Sequence, residues 1–416
     1  MRKIGLRLIS ASLSLLLICI TGCNSTNGSS DNKSANTMDG MNGKAAREEA
    51  TIANVKQSGG SIHIIAAGDN MIQNGVLNAA TANADGEQQY NFTPCYEDAK
   101  SIISSGDIKI INQSSLICDN ENIAVSGDNY NLNSPPEVGN ALIDTGFNVV
   151  SIGNRHLLDN GTGGLESCLN YWDKMKSNYY GLITYGAYKN ETDMNDIRVC
   201  DINGLKVAFL SYTDSIANSD FLNDSDLEVV LLSDEEKVKS QIEAANAVAD
   251  AVIVSAHWGT EDTFDVADEV KQQAQNMVDW GADVILGVHP HVPQTMEYLT
   301  RQDGSQGFVF YSLGNFISSQ TYNINLVGEV ADFNIKVDPK GNTTIEDIQV
   351  RPVITHFEGT DFSNLKVIPY RDYTEELCNA HGLPQISSNA NYADWNMEKI
   401  KEIIDTGIPE EYQKLD

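Results

Sequence analysis

Four short clusters carry the residue types that could do chemistry in this chain. They are Gly68-Asp69-Asn70, Gly153-Asn154-Arg155-His156, His257-Trp258-Gly259 and His289-Pro290-His291. The chain has seven histidines, and four of them fall in these clusters. An aspartate with several imidazoles is the donor set of a divalent transition metal such as Zn, Mn or Fe. His289 and His291 are spaced i, i+2, so in an extended segment both side chains point to one side and can reach one ion. A single histidine of this kind would read as a hydrogen-bonded loop residue. Four at equivalent places read as a site, with Asp69, His257, His289 and His291 as its ligands.

Each cluster stands where an apolar run gives out. The runs are Ile62 to Ala67, Phe147 to Ile152, Ala251 to Ala256 and Val284 to Val288. Short, nearly continuous apolar runs alternating with helical stretches predict buried strands of an α/β sheet. Ligands in such sheets sit beyond the carboxyl ends of the strands, where loops distant in sequence converge. Phe92-Thr93-Pro94 predicts a helix start with Thr93 as cap, and Gly106 its end. Ser134-Pro135-Pro136-Glu137 opens a helix that Gly146 closes, and Gly164 to Met175 forms another. Asn203-Gly204 between two alternating runs predicts a type I′ hairpin. Ser233-Asp234-Glu235-Glu236 reads as a capping box for a helix through Ala249. From Met296 the pattern turns antiparallel, over Phe308–Leu313, Leu326–Val337 and Ile345–Val353. The fold class expected is therefore α/β, a sandwich of mixed sheets flanked by helices, with antiparallel strands added at the C-terminal side.

The first residues read as a targeting signal and stay outside the fold argument. Arg2, Lys3 and Arg7 precede an apolar stretch from Leu8 to Ile20, and Ile20-Thr21-Gly22-Cys23 has the form of a lipobox. The expectation is a signal peptide over 1–22, a lipidated Cys23, and a polar tether through residue 60 rich in Asn, Ser and Gly. The protein is then extracytoplasmic and held to a bacterial membrane by lipid. Residues 61–320 form the main domain, 321–365 strands packed on it, and 366–416 an acidic, loosely packed and partly helical tail. With 58 acidic against 27 basic residues the net charge is −31. That excludes nucleic acid as a partner, since its capture needs clustered Lys and Arg. The five cysteines Cys95, Cys118, Cys168, Cys200 and Cys378 show no C-x-x-C spacing and read as small buried hydrophobes, with room for one disulfide.

The order and wording of the motifs over residues 61 to 320 resemble the poly-gamma-glutamate capsule biosynthesis (CapA-like) family, whose fold is similar to that of the calcineurin-type metallophosphoesterases. The resemblance rests on eight segments in order. They are Ala67-Gly68-Asp69-Asn70, Ile111-Asn112-Gln113, Asn133 to Gly139, Gly146 to Val150, Asn154 to Gly161, His257-Trp258-Gly259, Gly287 to Val292 and Tyr311 to Phe316. It implies a metallophosphoesterase-like sandwich in which Asp69, His257, His289 and His291 hold the metal. His156 takes the place of the histidine that polarises or protonates substrate. Asn70, Asn112, Asn154, Arg155, Trp258 and Asn315 line the substrate side. Three departures matter: Ser114 stands where the family carries a glutamate, Arg155 where it carries an asparagine, and Gln73 where close relatives carry a histidine. Losing a carboxylate and gaining a fixed guanidinium cation both weaken a second metal site. The expectation is one divalent ion at most, beside Arg155.

The reading that follows is a lipid-anchored surface protein for poly-gamma-glutamate or glycan synthesis, working with a membrane capsule-synthesis complex. Either it is a metal-dependent hydrolase or transferase on the polymer, with His156 as acid, or it is a non-catalytic accessory protein that binds the polymer. A solute-binding lipoprotein fits the front end but not the Asp/His pattern.

Overall fold

The run Ile62 to Ala67 forms the middle of a strand, and its side chains are buried on both faces except at His63, as its apolar composition demands. The computed structural model describes residues 59–416. The leader, Cys23 and nearly all of the tether expected from sequence lie outside the described residues. Among the described residues no helix is long and apolar enough to cross a membrane.

In chain order the strands are β1 (Gly60–Asn70), β2 (Ile108–Gln113), β3 (Leu116–Ile117), β4 (Ser126–Asp128), β5 (Asn131–Ser134), β6 (Val149–Ser151), β7 (Ile183–Tyr185), β8 (Arg198–Ile202) and β9 (Leu205–Thr213). They continue as β10 (Ala251–His257), β11 (Val284–Val288), β12 (Pro293–Thr300), β13 (Gln306–Leu313), β14 (Asn315–Ile317), β15 (Val327–Val337), β16 (Thr343–Glu358) and β17 (Ser363–Pro369). One sheet runs β17-β16-β15-β1-β2-β6-β7, with β14 also paired to β1; the second runs β12-β13-β11-β10-β9-β8. Strands β1, β2, β6 and β7 are parallel, as are β9, β10, β11 and β13, while β8, β12 and β15–β17 pair antiparallel. Both sheets are therefore mixed, as the sequence predicts, and the carboxyl ends of their parallel strands carry the four clusters.

The main core lies between the sheets, where Phe310 meets Phe333 and Tyr185 meets Phe209. A second apolar cluster sits beneath the helices Glu235–Val248 and Asp268–Asp279, on the outer face of the second sheet. Asp234 caps the first of these helices, its side chain accepting from the Lys237 N–H. Asn203 and Gly204 both take positive φ, as a type I′ turn requires.

Three features differ from the sequence reading. The helix predicted from Thr93 to Gly106 is broken into Thr93–Tyr96, a 3-10 turn at Glu97–Ala99, and Lys100–Ile103. A small sheet, β3-β5-β4, interrupts the stretch between β2 and β6. The C-terminal segment is not loose: helix Met397–Gly407 buries Ile400, Ile403 and Ile404, and Gly407 packs against Pro293. Its apolar residues at i, i+3 and i+4 form the stripe that docks. The five cysteines beyond residue 59 are all free, four buried and Cys200 half-buried. Burial pushes the Cys95 thiol up to about 12, as expected of a packed hydrophobe.

Gly68 is where β1 leaves regular pairing to admit β14. A Cβ there would lie 2.0 Å from the Gly314 carbonyl oxygen, a backbone atom that cannot move aside cheaply. Gly68→Ala is expected to destabilise the protein by about 3 kcal/mol or more. Gly163→Ala, in a helix with open space around it, is the control and should stabilise by up to about 1 kcal/mol. Thermal unfolding of the two variants checks both signs.

Candidate metal centre

Asp69 stands one residue before the end of β1, just past the bulge at Gly68. It is fully buried, and both oxygens are engaged. Oδ1 accepts from Asn112 Nδ2 at 2.6 Å and from Ser114 Oγ at 2.6 Å. Oδ2 accepts the His289 backbone N–H at 3.1 Å and lies 3.4 Å from His291 Nδ1. Burial works to raise its pKa, but the contacts with His291, His257 and Ser114 prevail and hold it far below the carboxylate range.

The His289-Pro290-His291 segment is not extended. His289 has φ 100° and His291 has φ 61°, left-handed values that side chains other than glycine rarely adopt. The same-side argument from i, i+2 spacing therefore fails as geometry, although the two rings still meet, with centroids 5.8 Å apart. Strain of this kind concentrates at functional sites. His291 Nδ1 also contacts Asn315 Oδ1 at 2.9 Å. Asn315 Nδ2 is in turn held by Ser318 Oγ, Gln320 Oε1 and the Asn325 carbonyl, which fixes its amide with the oxygen toward His291. His257 ends β10 with its ring centroid 4.4 Å from that of His289.

Burial and the neighbouring His289 hold the pKa of His257 well below its usual value, and burial and His291 push His289 down to about 3. For His291 burial is opposed and outweighed by Asp69, so its pKa is raised. A neutral imidazole, as at His257 and His289, is the form in which histidine ligates a cation.

Glu261 was not singled out in the sequence reading. It follows His257-Trp258-Gly259 by two residues, on the same strand-end loop, and that position was the available signal. Ligand atoms of Glu261, His289 and His291 lie within 4.8 Å of one another. His289 Nδ1 is buried and has no hydrogen-bond partner among the described residues. An orphaned imidazole nitrogen beside a second imidazole and a carboxylate fits a transition-metal ion. Of the four ligands expected from sequence, His289 and His291 belong to this trio; Asp69 spends its oxygens on Asn112, Ser114 and the His289 N–H, and His257 meets His289 ring to ring.

His156 sits at the edge of the same group, close enough to contribute to the lowered pKa values of His257 and His289. Its Nδ1 contacts Asp159 Oδ2 at 2.9 Å, and that oxygen also accepts the Leu132 N–H. A carboxylate oxygen can only accept there, so Nδ1 carries the proton and Nε2 is the ring atom left for a ligand. Arg155 Nη1 donates to Glu261 Oε1 at 2.7 Å.

Three residues expected on the substrate side are engaged elsewhere. Asn70 donates to Gln113 Oε1 and accepts from the Tyr96 hydroxyl. Asn154 donates to the Gln113 and Ile152 carbonyls and accepts the His156 N–H. Trp258 is fully buried in the outer cluster, its indole N–H on the Tyr311 carbonyl. Their polar groups serve the fold, so they hold the loops instead of facing a ligand. Asn112 differs, with a buried Oδ1 that has no partner among the described residues.

Residues 63–320 match the family described as "Bacterial capsule synthesis protein PGA_cap". The chain is 32% identical to "Capsule biosynthesis protein CapA" of Bacillus anthracis over 213 residues, covering 49% of this chain and 48% of that protein. It is 30% identical to "PGA biosynthesis protein CapA" of Bacillus subtilis (strain 168) over 209 residues, covering 50% of this chain and 52% of that one. The aligned region thus spans about half the length of the curated relatives it matches. Among solved structures, Haemophilus influenzae NAD nucleotidase overlaps 86% of this chain and 64% of its own, at 11% identity and a TM-score of 0.42.

Proposed function

The chain belongs to the bacterial capsule synthesis protein PGA_cap family, and from that premise we propose that it serves surface-polymer synthesis through a pocket holding one divalent transition metal. The observation that carries the metal is the convergence of Glu261, His289 and His291 within 4.8 Å around the orphaned His289 Nδ1. Those three side chains would hold the ion, with Asp69 and Asn315 positioning His291. A bound ion supplies polarisation of a substrate oxygen or acidification of a water. His156 would give or take a proton at Nε2, kept in the right tautomer by Asp159. Poly-gamma-glutamate or a glycan is the substrate class in this reading. Lipid on Cys23 would hold the protein at the membrane face beside its synthesis partners, and Cys23→Ala should release it into the soluble fraction.

Ser114 in place of a carboxylate, and Arg155 on Glu261, support a single ion and a degraded second site. They also favour a second reading, a binder that has lost catalysis. Metal content per chain tests the first part. After loading with Mn2+ and gel filtration, one ion per chain is expected; none would overturn the pocket, and two would restore a two-metal enzyme. Cleavage of a γ-linked glutamate oligomer or a phosphate ester that disappears in His156→Asn supports the enzyme. Binding of the oligomer without turnover supports the accessory protein.

A further inference from the structure

One oxygen of the metal-ligand trio has two suitors. Glu261 Oε1 accepts from Arg155 Nη1 at 2.7 Å, and the same atom lies 4.0 Å from His289 Nδ1. That second distance is too long for a hydrogen bond, which leaves the buried nitrogen without a partner among the described residues. The pair with Arg155 is partly exposed, with side-chain exposures of 38% and 43%. Ion pairs so exposed are weak enough to be exchanged for a stronger contact. The backbone beneath Arg155 is fixed, because Asn154 is anchored on two carbonyls and the Arg155 carbonyl accepts the Ala217 N–H. Only the guanidinium is free to change partner.

We propose that Glu261 is a shared carboxylate that couples metal binding to oxyanion binding. Without metal it neutralises Arg155. With metal it turns to the ion, and the freed guanidinium forks onto a carboxylate or phosphate group of the substrate, for which its planar donors are suited. This rests on the metal-pocket reading above and adds to it the order of binding and the ligand chemistry. The chain's charge of −31 repels anions at long range, so capture depends on a local cation that becomes available only when needed. Coupling of this kind is reciprocal: the metal tightens the anion by the same factor as the anion tightens the metal. Asp214, exposed and within the field of Arg155, is a rival carboxylate at this edge.

Calorimetric titration of the full chain, stripped with chelator or loaded with Mn2+, tests the coupling. The probes are inorganic phosphate and a γ-linked glutamate trimer, whose separate responses tell phosphate from carboxylate as the anion. At least one is expected to bind about tenfold or more tightly to the loaded protein, and to raise Mn2+ affinity by the same factor. Arg155→Met should bind Mn2+ a few-fold more tightly, since Glu261 is no longer contested, and should lose the coupling. Arg155→Lys keeps the charge without the fork and should restore part of it. Glu261→Gln should weaken Mn2+ and leave anion binding indifferent to metal. Equal anion affinity in both states of a protein that binds Mn2+ overturns the shared carboxylate while the metal pocket stands. So does coupling that survives intact in Arg155→Met, or that emerges only in Asp214→Asn. Failure of the wild type to bind Mn2+ at all overturns both.

Discussion

His289→Ala is expected to lower Mn2+ affinity at least about a hundredfold, roughly 3 kcal/mol, read by competition with a chromogenic chelator. Three side chains bring ligand atoms within 4.8 Å, and removal of one leaves an imidazole and a half-exposed carboxylate, too few donors to compete with water. Asn315→Ala should cost less, about tenfold, because it acts through another residue. Asn315 accepts from His291 Nδ1 and is itself locked by Ser318, Gln320 and the Asn325 carbonyl, so it sets which ring nitrogen of His291 faces the ion. The ordering of the two effects is the discriminating feature. If His289→Ala binds as the wild type does, the trio is not the site. If Asn315→Ala is the more damaging change, the ion sits on the Asn315 side of His291.

Much of this arrangement is legible in the sequence, for a physical reason. Buried parallel strands must be continuously apolar, so their ends are marked by the first polar residues, and chemistry-bearing residues there converge by topology alone. Asp69, His257 and His289 are found that way. What the sequence hides is local backbone conformation. An i, i+2 pair of histidines around a proline invites an extended reading, yet His289 and His291 are both left-handed and meet by turning. Glu261 is missed because its place two residues after Gly259 is a faint mark for one acidic residue among 58, until folding brings its loop to His289. Trp258 and Asn70 err in the other direction. A polar or aromatic residue beside a site motif reads as pocket lining, but Trp258 and Asn70 direct their polar groups back into the strands that carry the motif. The packed C-terminal helix is legible from its apolar spacing; the acidity of the segment draws attention away from it.

A marked pH dependence of stability should come from a residue outside the site. Glu329 is fully buried on β15, and neither carboxyl oxygen has a hydrogen-bond partner among the described residues. The two-residue period of the strand puts it on the face of Ala331 and Phe333, and Phe333 meets Phe310 of the other sheet, so Glu329 points into the core. Burial alone drives its pKa well above the usual carboxylate value. The folded state therefore holds a proton that the unfolded chain releases once the pH passes about 4.3. With the folded value raised, this residue's contribution is most favourable below the unfolded pKa and declines as pH rises toward the folded one, by about 1.4 kcal/mol per unit. Gln cannot ionise in either state and removes that slope. Glu329→Gln should thus gain on the wild type as pH rises from 5 toward the folded pKa, by at most about 1.4 kcal/mol per unit, whatever fixed offset its own buried amide adds. Denaturant unfolding at pH 5, 6 and 7 measures the difference. A difference that stays flat across that range would mean that Glu329 is ionised in the folded protein and has a cationic partner.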